Sequence, residues 1–492
     1  MFEAAETHQV LEKATYDAAL PALRERLLKA QYALLEARKF PVVVVIAGIP
    51  AAGRSETVRA LSEWMDPRHL QVHAMGPPSD EELERPPMWR YWRRLPPKGK
   101  IGVFFGSWYT QPIIAHALKK TGDRRFAESL EEVRRFERML SDEGALVLKF
   151  WFHLTKKEQK KRLDDLWHDK RTRYRVTKED RKRAAHYEEF RDTSERALNA
   201  THAADTPWIV LEGYDDRYRN FNAARALLEA IEGRLATERA AEPEPAAANV
   251  EPVTRRTNVL GSLDLTRALE KEAYAAELAK QQRRLAELTR KRAFARLSPV
   301  LVFEGMDAAG KGGAIRRVTQ ALDPRIYDVH AIAAPSDEER AQPYLWRFWR
   351  HAPRDGKFAI FDRSWYGRVL VERVEGFAKV SEWKRAYEEI NDFERQLQEA
   401  GNVVVKFWLQ ISNEKQLARF QEREQTPFKR FKITQEDWRN REKWADYQRA
   451  ASEMIERTST QISPWTLVEA EDKYFARVKV IRTICEAIDA AT

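Results

Sequence analysis

The sequence predicts an α/β protein built as two tandem copies of one domain, each a parallel sheet covered by helices on both faces. Three observations lead there. The chain repeats itself: "GIPAAGRSE" from Gly48 matches "GMDAAGKGG" from Gly305, an offset of 305 − 48 = 257. The same offset aligns "DPRHLQVHA" at Asp66 with "DPRIYDVHA" at Asp323, and "PSDEE" at Pro78 with "PSDEE" at Pro335. It also pairs "WRYWR" at Trp89 with "WRFWR" at Trp346, and "KFWFHL" at Lys149 with "KFWLQI" at Lys406, with no gap as far as the "PW" pairs at Pro207 and Pro464. Next, nearly continuous apolar runs of strand length alternate with charged helical stretches, the pattern of strands buried on both faces. Finally, a glycine-rich loop follows the first apolar run of each copy and precedes a helix.

The elements follow in order. Charged helices open the copies at Ala14 to Lys39 and Arg267 to Arg296. "PVVVVIAG" and "PVLVFEG" read as strands. After the loop come a helix, a short strand ("YDVHAI" in the second copy) and a helical stretch rich in Trp and Arg. The strand "KFAIFD", helices from about Ser381 to Glu399 and the strand "NVVVKFWLQI" come next. A charged helical segment, the strand "PWTLVEA" and a terminal helix complete the copy. The boundaries are 1–235 for the first copy, 236–258 for a linker and 259–492 for the second. "ATERAAEPEPAAANVEPVTRRT" is rich in Ala, Pro and Glu and lacks an apolar period, hence the linker.

Composition narrows the function. Of 492 residues, 86 are basic and 76 acidic, a formal charge of +10 that suits acidic partners. A solvated, lysine-rich helical surface would give the same balance. The single cysteine, Cys485, excludes an internal disulfide and sits in an apolar-periodic stretch, as a core residue would. The start, "MFEAAETHQV", has neither the basic end nor the apolar core of a secretion signal, and no run is apolar for membrane-spanning length. A cytoplasmic protein with no membrane partner is expected.

The chemistry concentrates in the second copy. Backbone amides of the loop Gly305, Ala308, Ala309, Gly310, Gly312 and Gly313 should cradle phosphate at a helix N-terminus, and Lys311 adds a point charge. The usual loop ends Gly-Lys-Ser/Thr, whose hydroxyl holds a metal ion, but here Gly312 follows Lys311. Two carboxylates are the candidate replacements: Asp307 within the loop and Asp362 at the end of "KFAIFD". Hard oxygen ligands suit Mg²⁺. Asp307 could instead orient or deprotonate the attacking group. The bland alternatives are a turn-stabilising aspartate and a solvated strand end. "RFQEREQTPFKRFKITQEDW" brings Arg419, Arg423, Arg430 and Lys432 together as a basic lid, about 415–440, able to neutralise transferring oxygens and exclude water. Arg347, Arg350, Arg363 and Arg368 are further phosphate or nucleotide contacts. Trp346, Phe348 and Trp349 could stack a base, though at this spacing such residues are more often core.

In the first copy Asp307 is replaced by Pro50, Lys311 by Arg54, Asp362 by Phe105 and Arg363 by Gly106. Losing both carboxylates predicts a catalytically inactive copy, left to hold an anion, pack against its twin or feed substrate.

On "GMDAAGKGG", "DRSWYGR", "RFKITQEDW", "ERTST" and "SPWTLVEAEDKYFARV", the chain resembles the family-two polyphosphate kinases. The likeness covers about Leu263 to Ile488 well and Leu11 to Ile231 weakly, through the repeat. It implies in each copy a thymidylate-kinase-like, P-loop kinase fold of three layers, with a helical lid. It also implies Mg²⁺-dependent transfer between inorganic polyphosphate and nucleotides. Asp307 and Lys311 would take the loop roles, Asp362 and Arg363 those of the second motif, and Arg419, Arg423 and Arg430 would lie in the lid. Two fused copies, the first degenerate, resemble the branch that phosphorylates AMP to ADP. Without the resemblance, the residues stop at a metal-dependent phosphotransferase with an acidic substrate. An ATP-dependent kinase, or a polyanion-binding protein without catalysis, stays open, and so does a homo-oligomer. Nucleic acid is not an expected partner, since paired carboxylates repel an anionic ligand unless a cation intervenes.

Overall fold

The structure, a computed structural model, describes residues 1–240, 259–426, 433 and 435–492. Arg430 and Lys432 therefore lie outside the described residues. Two compact units are present. One contains Met1–Pro78, Pro335–Trp346 and the described chain from Arg90 onward to residue 240; the other contains Ser79–Trp89, Val259–Ala334 and the described residues of Arg347–Thr492. Each thus includes a short segment from the other sequence repeat. In the second unit, Arg85 Nε donates to the Ala352 carbonyl at 3.0 Å and Arg354 Nε to Glu84 Oε2 at 2.5 Å. In the first, the Lys98 amide donates to the Ala341 carbonyl at 2.8 Å.

The first unit holds strands β1 (Val42–Gly48), β2 (Leu70–Ala74), β3 (Ile101–Phe105), β4 (Leu146–His153) and β5 (Trp208–Glu212), in the order β2-β3-β1-β4-β5. The second holds β6 (Ser298–Gly305), β7 (Tyr327–Ala331), β8 (Phe358–Asp362), β9 (Asn402–Gln410) and β10 (Trp465–Glu469), in the order β10-β9-β6-β8-β7. Every pairing is parallel. The strands read as unbroken apolar runs because helices cover both faces: Val42, Val43, Val44 and Val45 are all at most 1% exposed. β6 lies at the centre, and the chain crosses from β8 on one side to β9 on the other. The C-terminal ends of such strands form the crevice where ligands bind.

Sequence boundaries shift by a few residues. The opening helix of the second copy is confined to Lys271–Leu288, with a 3₁₀ turn at Arg292–Arg296. The helix Asp216–Ala240 runs past residue 235 into the expected linker, since Ala, Thr and Glu there are compatible with helix. The repeated "SDEE" forms the same capping box twice, Ser79 with Glu82 and Ser336 with Glu339. Phe348 and Trp349 are core residues, each 1% exposed, packed on Trp365 and Phe393 respectively.

Behind each sheet a charged pair is buried in an identical setting. Lys406 Nζ donates to Glu394 Oε2 at 2.8 Å and to the Thr458 carbonyl at 2.7 Å; Glu394 Oε1 accepts from Trp365 Nε1 at 3.0 Å and Tyr366 Oη at 2.6 Å. In the first unit, Lys149 donates to Glu137 at 2.6 Å and to the Thr201 carbonyl at 2.7 Å, and Trp108 and Tyr109 complete the set at 2.9 and 2.7 Å. Burial pulls both ammonium groups below the usual lysine range, against the pull of the glutamates.

Candidate active site

β6 ends in Gly305, with φ +145°; a Cβ there would sit 2.5 Å from the Leu409 carbonyl oxygen, so the close approach to β9 demands glycine. Ala308 has φ +62° and Gly310 φ +112°, and the helix Lys311–Thr319 begins immediately after. The amides that open this helix lack intrahelical acceptors and are the natural anion donors. Lys311 Nζ donates to the Gly305 carbonyl at 2.8 Å, which folds the lysine over the loop. Gly312 and Gly313 fall in the first helical turn, with no side chain to crowd the approach.

β8 brings the second motif alongside. Phe303 of β6 pairs with Asp362 at the end of β8. Asp362 Oδ2 lies 4.0 Å from where a Cβ on Gly312 would be, and among the described residues its carboxylate has no hydrogen-bond or ion-pair partner. Arg363 then takes φ +62°, a left-handed conformation that a side chain of this size seldom adopts. Its Nη2 reaches Asp307 Oδ1 at 2.8 Å. Strain retained at such a position is a mark of function.

Asp307 is the hub. Besides Arg363, its Oδ2 accepts from Asn440 Nδ2 at 3.1 Å, and its carbonyl accepts from Gln416 Nε2 at 3.0 Å. Burial pushes its carboxyl up, but Lys311, Arg363 and the two side-chain hydrogen bonds outweigh that and hold it below the usual aspartate range. Next to it, Glu304 is 5% exposed and accepts from Ser364 Oγ at 2.8 Å; burial drives its carboxyl upward against Lys311 and Arg363. A cleft opens here, with about 580 Å³ of free space when the open solvent at its mouth is counted, lined by Glu304, Asp307, Arg363, Trp408, Asn440 and Tyr447 among others. Tyr447 Oη donates to Glu375 at 3.2 Å and lies 3.3 Å from Asn440 Oδ1, which ties the helix Gln435–Glu442 to the next helix, Trp444–Thr458.

The other candidate cations divide. Arg419 is 4% exposed, and its guanidinium donates to the carbonyls of Ala308 (2.9 Å), Ala309 (3.1 Å), Ala470 (2.8 Å) and Glu471 (2.9 Å). It braces the loop against the end of β10. Arg162 makes matching bonds to the Ala51 and Gly213 carbonyls in the first unit, at 3.2 and 2.8 Å. Arg368 pairs with Glu372 at 2.9 Å and Glu382 at 3.6 Å. Arg347 donates to the Ala333 carbonyl at 3.0 Å, Arg350 is exposed, and Arg423 is half-buried on the helix Asn413–Gln425.

Glu304, Gln416, Asn440 and Tyr447 are site residues that motif reading passed over. The repeat held a signal for three of them: Glu304 faces Ala47, Asn440 faces Arg183 and Tyr447 faces Phe190, so each changes where Asp307 and Asp362 change.

Among the described residues no group of three or more His, Cys, Asp or Glu could hold a metal. Mg²⁺ does not need one, because one or two carboxylates suffice when waters and substrate phosphates complete the shell. The unpartnered Asp362 fits that requirement. Asp307 carries charge into the same site but already accepts hydrogen bonds on both oxygens.

A glycine loop after the central strand, an acid ending the neighbouring strand and a helix reaching the loop from the lid region define a P-loop protein of kinase type. The chain belongs to the polyphosphate kinase 2 family, whose profile matches residues 10–239 and 268–492. It is 55% identical to a polyphosphate:AMP phosphotransferase of Pseudomonas aeruginosa over 100% of this chain and 99% of the relative. It is 41% identical to one of Acinetobacter johnsonii over 94% and 95%. A crystal structure from Pseudomonas aeruginosa PA01 assigned to polyphosphate kinase 2 matches with TM-score 0.91 and 53% identity, over 100% of this chain and 99% of that one.

Proposed function

We propose that the protein transfers the terminal phosphoryl group of inorganic polyphosphate to AMP, forming ADP and a polyphosphate one unit shorter. The observation that carries this is the end-to-end likeness, both repeats included, to relatives named for that reaction. A phosphate oxygen of AMP attacks the terminal phosphorus as its bridging P–O bond breaks. The second unit is the one equipped to assist. Loop amides and Lys311 hold the phosphates. Arg363, whose guanidinium faces Asp307, is placed to meet charge on the transferring group, and Arg423 and Arg430 are lid cations for the same oxygens. Lys432, Arg347, Arg350 and Arg368 are assigned to phosphate or nucleotide contacts. Arg419, whose donors go to backbone carbonyls, is a positioning residue for the loop. Asp362, with Asp307 beside it, would hold Mg²⁺, which when bound neutralises the phosphates.

No described helix is long and apolar enough to cross a membrane. We propose a cytoplasmic location. The test is incubation with AMP, Mg²⁺ and long-chain polyphosphate as sole donor, with a parallel reaction supplied with ATP. ADP from polyphosphate alone is expected. ADP formed only with ATP would overturn the assignment of donor.

A further inference from the structure

The first unit has a cavity where the second has its candidate active site. The two are open clefts of similar size, with about 590 and 580 Å³ of free space when the open solvent at the mouth is counted. Its lining repeats the other position by position: Gly48 for Gly305, Pro50 for Asp307, Ile114 for Val371, Trp151 for Trp408, Gln159 for Gln416, Phe190 for Tyr447. The loop backbone is kept as well. Gly48 and Gly305 have φ +144° and +145°, and Ala51 and Ala308 both have φ +62°. Gln159 still holds the loop, donating to the Pro50 carbonyl at 3.2 Å, as Gln416 does to Asp307. Loss of both carboxylates did not collapse the pocket.

What changed is its charge. The second cavity is lined by two carboxylates, Glu304 and Asp307, and one guanidinium, Arg363. The first is lined by two guanidiniums, Arg54 and Arg183, and no carboxylate. Neither arginine has a hydrogen bond or ion pair from its side chain to any described residue, and Arg54 lies 5.7 Å from the Phe105 ring. The nearby acids Asp180 and Glu56 attract Arg54 without reaching ion-pair distance, and each has another partner. Asp180 accepts from the Thr177 amide and hydroxyl at 3.0 and 2.7 Å, and Glu56 lies 3.9 Å from Arg175. Two polar atoms lining the cavity are also buried without a partner: Ser194 Oγ, on a residue 1% exposed, and Trp151 Nε1, on a residue 3% exposed. Buried donors without a partner, beside two half-buried cations, suit a polar anionic ligand. Apolar side chains, including Ile49, Ile113, Ile114 and Phe190, line much of the remaining wall.

We infer that the first unit is a metal-independent binding site for an aromatic phosphomonoester of the size of a nucleoside monophosphate. The phosphate would sit on the retained loop and between Arg54 and Arg183, and the ring against Ile113, Ile114 and Phe190. No transfer takes place there, because both carboxylate positions carry Pro50 and Phe105. The site is independent of which donor the second unit uses.

The experiment is photolabelling of the full chain with 8-azidoadenosine monophosphate in excess EDTA, followed by peptide mapping. Saturable label is expected on peptides carrying Ile113–Ile114 or Phe190. It should fall by about tenfold or more in Arg54→Ser, which removes a charged donor. Ile114→Trp, which fills the cavity and keeps the cations, should remove it as well. Label confined to the second unit would overturn the proposal. So would label in the first unit that neither variant reduces.

Discussion

The two repeats differ in what they keep. Both retain the parallel sheet, the loop backbone and the buried Lys–Glu pair with its Trp and Tyr donors. Only the second retains Glu304, Asp307, Asp362, Arg363 and Asn440, against Ala47, Pro50, Phe105, Gly106 and Arg183. The retained features build the framework, and the divergent ones cluster around the loop that ends the central strand. Position 363 shows this most directly. Both copies need a left-handed residue there, φ +82° at Gly106 and φ +62° at Arg363. Glycine adopts it freely, and arginine does so at a cost of about 1–3 kcal/mol. The strained residue survives only in the unit that has the carboxylates.

The largest break in the comparison should come from Asp362→Asn. Removing this carboxylate, which has no hydrogen-bond partner among the described residues, should cut kcat for polyphosphate-dependent ADP formation by about 10³-fold or more. Adding Pro50→Asp and Phe105→Asp to that variant should not restore turnover, since Gly106, Ala47 and Arg183 remain. Recovered activity would show that the first unit lacks only its acids.

The second test concerns what the units share. Glu394→Gln and Glu137→Gln each leave a buried ammonium without its counterion, and each should cost about 3–5 kcal/mol. Chemical denaturation of the full chain should show comparable losses for both, although only one pair lies in the unit with the candidate active site. A loss confined to Glu394→Gln would tie that network to catalysis instead of folding.

Arg363→Gly gives the second unit the residue of the first. Activity should fall by about 10²-fold, while the stability of the unit should stay within about 1 kcal/mol, because relieved backbone strain offsets the lost pair with Asp307. Steady-state kinetics and denaturation on one preparation check both. A large loss of stability would mean that Arg363 is held for packing.

The fold was legible because its signals are local: apolar runs, loop glycines and a gapless repeat. Loop spacing puts Asp307 and Lys311 at the candidate site, and the end of the apolar run "KFAIFD" puts Asp362 there. Charge alone could not show where Arg419 points: a basic side chain on a helix reads as a substrate contact, and its donors go to backbone carbonyls. Asn440 and Tyr447 carry no motif; their roles depend on how Gln435–Glu442 meets the loop, far away in sequence. The inclusion of Ser79–Trp89 in one unit and Pro335–Trp346 in the other could not be read at all. Both copies contain the same "PSDEE", so nothing local says which sheet each segment joins.

The smallest expected effects test how finely Asp307 is tuned. Asn440→Ala removes one of two side-chain donors to that carboxylate, a bond to a charged group worth about 1.5 kcal/mol, so kcat/KM should fall by about tenfold. Tyr447→Phe, the residue of the first unit, loses only contacts of 3.2 and 3.3 Å and should cost about twofold to threefold. The pH dependence separates tuning from simple loss of packing. Asp307 is held below the ordinary aspartate range, so its charged form, and the stability it contributes, persists until pH falls through that lowered value. Without Asn440 one cause of the lowering is gone. The acid limb of the kcat/KM profile should then move to higher pH in Asn440→Ala and stay in place in Tyr447→Phe. An unmoved limb in both would place Asp307 outside the groups whose ionisation the reaction requires.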